Sequence, residues 1–218
     1  MILKDTYRHK GLRRKLIASI REKGITDERI LQVMGALPRH YFLDKAFEEL
    51  AYEDKAFPIG MEQTISQPYT VAYQTQLLNI KKRDKVLEIG TGSAYQAVVL
   101  SMLGARVHTL ERQEVLYHKA KKMVETLKVN NIRVYLKDGF RGLPELGPFD
   151  KILVTAGATE VPENLVKQLS IGGVMVIPVG SRQVQNMIRL VRSSEKDYEV
   201  EKLETFRFVP FLKGINRS

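Results

Sequence analysis

The distribution of apolar and polar positions divides the chain into two regimes. Up to about residue 38 apolar residues recur every three or four positions. Leu12, Leu16 and Ile20 mark one face of a helix over 12–23, with Arg13, Arg14, Lys15 and Arg21 on the other side and Gly24 placed to end it. Thr26 or Asp27 is suited to cap a second helix carrying Ile30, Val33, Met34 and Leu37 on one stripe, stopped by Pro38. From Pro38 to Pro68 the pattern is irregular, which is long for a connection unless Asp44 to Leu50 form a short helix, and long loops in compact domains are often functional. A helix is expected to begin at Ser66-Gln67-Pro68 and run through Val71, Gln74, Thr75 and Leu78; on local sequence Ser66 reads as its N-cap.

Beyond residue 84 short apolar runs alternate with helical periods. Lys85–Ile89, Val107–Leu110, Ile132–Leu136, Lys151–Thr155 and Val174–Ile177 read as buried strands, with helices at Ala97–Leu103, Leu116–Leu127 and Pro162–Leu169. Met187–Val191 and Tyr198–Phe208 follow without a helix between them, so an antiparallel hairpin is expected at one edge. The pattern predicts an α/β chain with a Rossmann-like, doubly wound, mostly parallel seven-stranded sheet, an antiparallel edge and a small N-terminal helical layer.

Composition narrows the function. The 218 residues suit one domain, 44% hydrophobic and 28% charged, and the absence of cysteine excludes disulfides, thiolate metal sites and a cysteine nucleophile. No apolar run approaches 18 residues and the N-terminus lacks an apolar signal core, so no membrane association and a cytoplasmic location are expected. Net charge is +10, and residues 1–25 hold eight Lys/Arg against Asp5 and Glu22. No series of aromatic residues alternates with those charges as stacking platforms for nucleic acid would, so a solvated helix face is the preferred reading. His9, His40, His108 and His118 share no ligand spacing, so no metal is expected, and all four read as surface or strand residues.

Candidate chemistry centres on Glu88-Ile89-Gly90-Thr91-Gly92-Ser93. A strand delivers the chain to a glycine turn, where the backbone can approach a ligand and a helix N-terminus follows. Glu111, 19 residues past Gly92, stands at the next strand end, where a carboxylate can accept from ribose hydroxyls. Asp138-Gly139 follows the third strand, where a carboxylate or amide can meet an adenine edge. Each could be a surface residue; in order at successive strand ends they point to an adenosine cofactor. A dinucleotide site wants a third glycine where Tyr95 stands, and no P-loop is present. Glu88 would repel a pyrophosphate but could face the cationic aminoacyl end of S-adenosylmethionine, which points to a methyltransferase.

The chain also resembles the protein-L-isoaspartate O-methyltransferase family from about Leu37 onward. The likeness rests on Leu37-Pro38-Arg39, Tyr52-Glu53-Asp54, Pro58-Ile59-Gly60, Gln63-Thr64-Ile65-Ser66-Gln67-Pro68, Val86 to Gln96, Asp138 to Gly142, Pro148-Phe149-Asp150, Gly172-Gly173, Ile177 to Gly180 and Phe208-Val209-Pro210. The resemblance implies Ser66 at the active-site serine position, and Thr64, Ile65, Glu88, Gly90, Thr91, Gly92, Ser93, Glu111, Asp138 and Gly139 around S-adenosylmethionine. Pro58, Ile59, Pro178 and Val179 are expected as substrate-cleft walls. It further implies one domain over 1–218, with a helical layer over 1–55 and a catalytic core over 56–218, acting as a monomer on isoaspartyl peptides and proteins and on no nucleic acid. The alternatives are methylation of RNA or a small molecule, prompted by the basic N-terminus, and an inactive cofactor-binding module. Two departures prompt the last of these: Ala94 where the family carries glycine, and Met61-Glu62 where it carries a pair ending in glycine. Ala94 is tolerable at negative φ and costly at positive φ.

Overall fold

The structure, a computed structural model, describes residues 4–217; residues 1–3 and 218, the ends of the expected domain, lie outside them. Helices α1 (Tyr7–Glu22) and α2 (Glu28–Ala36) come first, then three short 3-10 turns between Arg39 and Tyr52 in place of the expected helix at 44–50. A two-stranded ribbon follows, β1 (Phe57–Gly60) and β2 (Gln63–Ile65), then α3 (Pro68–Leu78). The remaining chain runs β3 (Lys85–Ile89), α4 (Tyr95–Met102), β4 (Arg106–Glu111), α5 (Glu114–Thr126), β5 (Ile132–Leu136), β6 (Phe149–Val154), α6 (Glu163–Val166), β7 (Leu169–Gly180), β8 (Gln185–Arg192) and β9 (Tyr198–Phe206).

Among the described residues the main sheet has seven strands in the order β5-β4-β3-β6-β7-β8-β9. The first five are mutually parallel, and β8 runs antiparallel to both its neighbours. This is the architecture expected from the alternation of strand and helix. The order reverses around β3, which puts the mouth of a crevice beyond the carboxyl ends of β3, β4 and β6.

Strand alternation sends side chains to two apolar clusters. Val86, Val107, Leu153 and Val176 join Ile20, Leu31, Met34, Val71, Leu100 and Leu116 on one face, so the N-terminal layer and the sheet share one core. Leu87, Ile89, Leu110, Ile152 and Met175 pack with Leu165 and Val166 on the other.

The N-terminal layer corrects two expectations. Arg13 is not solvated: it is buried, and its guanidinium donates to Gly35 O at 2.7 Å, Tyr52 Oη at 2.9 Å and Asp5 at 2.9 Å. His9 and His40 are buried rather than superficial, with ring centroids 4.0 Å apart. Asp5, His9 and His40 form a cluster of metal-ligand type, but both imidazoles and the carboxylate already have protein partners in Thr6, Glu48, Tyr52, Lys4 and Arg13. His108 is a partly buried strand residue and His118 is exposed, in line with the sequence reading.

Candidate active site

Two clefts meet beyond the strand ends. The first holds about 780 Å³ of free space, counting the part that opens to solvent. Its lining includes Thr64, Ile65, Ser66, Gly90, Thr91, Gly92, Ser93, Glu111 and Gly139, brought together from four segments far apart in sequence. The second is a groove between α3 and the end of β9, lined among others by Gln67, Tyr69, Glu204, Phe206 and Arg207. Thr64, Ser66, Thr155 and Val209 line both, and so form the passage between them.

The glycine turn is shaped by close approach. Gly90 has φ +97°, and a Cβ there would lie 2.5 Å from Thr155 Oγ1. That hydroxyl stands 2.9 Å from Ile89 O and 2.8 Å from Gly90 O, tying the turn to the end of β6. Ala94 closes the turn at φ 72° and ψ 4°, a left-handed conformation, and is fully buried. The costly branch of the sequence expectation therefore applies.

Glu111 is the electrostatic centre of the first cleft. Its Oε2 accepts the Gly92 amide at 2.8 Å, while Oε1 accepts those of Arg112 and Gln113 at 2.8 and 2.9 Å. Burial raises its pKa, and the three amides pull it back toward the ionised form. With one amide on Oε2, a lone pair remains for a hydroxyl donor in the cleft. Gly139 has the close contact expected of a cradle: a Cβ there would strike Ile89 and lie 3.0 Å from the Phe211 ring, and both residues line the cleft. Phe211 in turn stacks on Phe140 with centroids 4.0 Å apart. A carboxylate, a glycine turn and an aromatic wall around this volume suit an adenosine-bearing cofactor.

Several expected residues stand elsewhere. Glu88 does not line either cleft: Ile89 faces the cavity, so the preceding side chain points to the opposite face of the sheet. It is fully buried there, neither carboxylate oxygen has a hydrogen-bond partner, and burial pushes its pKa up to about 8. The neighbouring Thr109 hydroxyl, 2.7 Å from that of Thr91, pulls the value only partly back. The Asp138 carboxylate also turns away from the cleft, accepting from Phe140 N at 3.0 Å and Gly214 N at 2.9 Å. Pro58, Ile59, Pro178 and Val179 line neither cleft; Ile59 packs under Gly92 in an adjoining cavity, and Pro178 and Val179 pair with β8.

Ser66 is not the cap of α3. The helix has Gln67 at its N-cap without a side-chain cap, and its free amide at Tyr69 is taken by Asp54. Among the described residues the Ser66 hydroxyl makes no hydrogen bond, although it stands at the passage. Behind it, Arg39 donates to Ser66 O at 2.9 Å. Thr155 and the segment Val209 to Leu212 were missed by sequence reading. The strand-end rule applied to β6 would have found Thr155; the tail carries no periodic signal.

The family described as protein-L-isoaspartate(D-aspartate) O-methyltransferase matches residues 11–216. A protein-L-isoaspartate O-methyltransferase of Christiangramia forsetii is 52% identical over 98% of this chain and 100% of its own length. One from Cytophaga hutchinsonii is 53% identical over 96% of this chain and 95% of its own. Among solved structures, one assigned as the Plasmodium falciparum enzyme in complex with S-adenosyl-L-homocysteine superimposes with a TM-score of 0.81 at 25% identity, covering 94% of this chain and 98% of that one. The chain belongs to the protein-L-isoaspartate O-methyltransferase family.

Proposed function

We propose that the passage lined by Ser66 is where a methyl group passes from S-adenosylmethionine, held in the first cleft, to the free α-carboxylate of an isoaspartyl residue, held in the second. The activity is that of the family, an S-adenosylmethionine-dependent methylation that starts the repair of damaged proteins. The observation that supports this siting is that Ser66, with its hydroxyl uncommitted, lies on the wall common to both clefts.

S-adenosylmethionine supplies an electrophilic methyl on a sulfonium, so a carboxylate oxygen forms the new O–C bond as the C–S bond breaks and its electron pair stays on sulfur. The chain's own residues have little proton chemistry to perform. An α-carboxyl titrates near pH ~3.5 and is ionised at neutral pH, so no general base is needed. The lining of the two clefts accordingly includes no histidine. Ser66 donates to the carboxylate and orients it, while Gly90 to Ser93, Glu111 and Gly139 hold the donor. Holding oxygen, carbon and sulfur in line supplies up to roughly 7–11 kcal/mol.

Arg207 and Glu204 flank the groove. The first offers a cation to a substrate carboxylate; the second is bonded to Tyr69 Oη at 3.2 Å. Action as a monomer is part of the same proposal.

Radiolabelled methyl transfer to an isoaspartyl peptide, its aspartyl twin and bulk RNA tests the reading. Base-labile label on the isoaspartyl peptide alone is expected, and label only on RNA would overturn it. Ser66→Ala is expected to lower turnover at least tenfold with S-adenosyl-homocysteine affinity nearly unchanged, since a hydrogen bond to a charged group is worth about 1.5–3 kcal/mol. Wild-type turnover in that variant removes Ser66 from the mechanism.

A further inference from the structure

Arg39 lies outside both clefts, yet it connects the groups that flank them. It is 1% exposed, and Nη2 donates to Ser66 O at 2.9 Å. A second carbonyl, Lys55 O, stands at 3.5 Å, too far for a strong bond. Nε and Nη1 are buried without partners, and none of the ion pairs among the described residues includes Arg39. The guanidinium carbon lies over the ring of Tyr95, 5.1 Å from its centroid. Tyr95 opens α4 directly after Ala94 and lines the first cleft.

Such an arrangement is poor as a device for stability. A buried, unpaired guanidinium bears a desolvation penalty, and two unpaired donors add to it. Burial lowers its pKa to about 10, so it still carries its charge at neutral pH. What the arrangement provides is geometry. One rigid group fixes the backbone carbonyl of the residue that orients substrate and makes a cation–π contact with the first residue of the helix that follows the cofactor turn.

We propose that Arg39 is a positioning residue for methyl transfer, holding the Ser66 hydroxyl in register with the cofactor turn through Ser66 O and the Tyr95 ring. The inference rests on the role given to Ser66 above. It makes a demand that a merely structural residue would not meet: the effect of removing Arg39 must pass through Ser66.

The test is a double-mutant cycle on the full chain, with kcat measured at saturating S-adenosylmethionine and isoaspartyl peptide. Arg39→Met is expected to lower kcat at least tenfold while S-adenosylhomocysteine affinity stays within about threefold and thermal stability is kept or raised. In a Ser66→Ala background the same change is expected to cost less than twofold, because there is no hydroxyl left to place. Arg39→Lys, which can still donate to Ser66 O but lacks the guanidinium over Tyr95, is expected to recover part of the loss. If Arg39→Met does not fold, Arg39→Lys takes its place in the cycle. Multiplicative losses in the two variants, or a folded Arg39→Met with wild-type kcat, overturn the inference. A wild-type kcat in Ser66→Ala alone overturns the Ser66 reading instead, so the two failures are distinguishable.

Discussion

Asp54 Oδ1 accepts the backbone amide of Tyr69 at 2.8 Å, so helix α3 is capped by a carboxylate 15 residues upstream. The other oxygen of Asp54 takes Gln67 Nε2 at 3.1 Å and Lys23 Nζ at 2.6 Å. The same bonds that satisfy the helix end leave Ser66 free of capping duty. Lys23 is half exposed and adds little, so the cap and the Gln67 tie dominate. Asp54→Ala is expected to lower unfolding free energy by about 1–2 kcal/mol. Asp54→Asn, whose amide oxygen can still accept from Tyr69 N, is expected to keep more than half of it. Urea midpoints of the three proteins check this, and equal loss in both variants would mean that the cap is not the cause.

The ribbon turn between β1 and β2 places Met61 at φ 53° and Glu62 at φ 57°, with Gly60 paired to Gln63. A two-residue hairpin with both central φ values positive favours Asn-Gly. Each left-handed non-glycine residue costs roughly 1–2 kcal/mol. Both side chains are exposed, so little packing is lost on replacement. Replacing Met61-Glu62 by Asn-Gly is expected to raise stability by about 1 kcal/mol after the unfolded-state entropy of the new glycine is subtracted. A thermal midpoint no higher than wild type counts against it.

Ala94 has the same backbone strain with a different balance. Relief by glycine gains roughly 1–2 kcal/mol, but a buried methyl worth about 0.8 kcal/mol and about 0.5–1 kcal/mol of chain entropy oppose it. Ala94→Gly is therefore expected to stay within about 1 kcal/mol of wild type, which explains how the departure from glycine is tolerated. Ala94→Val adds a β-branched side chain at positive φ where nothing is exposed, and a loss above about 2 kcal/mol is expected. Denaturant titration of the pair decides; a well-tolerated valine would contradict the left-handed assignment.

How much of this was legible in the sequence differs by residue. Gly90 to Ser93, Glu111 and Gly139 were found because strand alternation and the strand-end rule locate a crevice without tertiary detail. Glu88 was misplaced, although period-two alternation with Ile89 already sends it to the other face. Arg13 defeated the helix-face argument, because its burial depends on Asp5 and Tyr52, which no local pattern links to it. Arg39 lay in a motif that marks the family, but its contact with Ser66 O joins positions 27 apart in an irregular stretch. Periodicity has nothing to read there.

Glu88 gives the protein a pH dependence of known sign. Its folded-state pKa, about 8, lies above the unfolded value of 4.5, so the folded state binds the extra proton between those limits. Stability then falls as pH rises from about 4.5 to 8, and the whole penalty, on the order of 5 kcal/mol, is present above pH ~8. Glu88→Gln keeps the shape and removes the titration. Urea unfolding at pH 6 and pH 9 is expected to show a smaller drop in the variant than in wild type. Identical drops would assign the slope to other groups.

The C-terminal tail gives the last prediction. Val209 O accepts from Gly157 N at 2.8 Å and Phe211 N donates to Gly157 O at 2.9 Å, which straps Val209 to Leu212 along the wall of the first cleft. Further along, Gly214 N reaches Asp138 Oδ2 at 2.9 Å and Asn216 N reaches Arg112 O at 2.8 Å. Asp138 thus ties down the strap that carries Phe211, a residue of the cleft lining. Removing a hydrogen bond to a charged group costs about 1.5–3 kcal/mol, and part of that is lost from the hold on the strap. Asp138→Ala is expected to weaken S-adenosylhomocysteine binding by about tenfold while moving the thermal midpoint of the ligand-free protein little. Asp138→Asn can still accept from Gly214 N and is expected to lie between the two. Calorimetric titration reads the affinity, and limited proteolysis separates this from direct contact with adenine, for which the protease sensitivity of the tail would be unchanged; a strap set loose makes it rise.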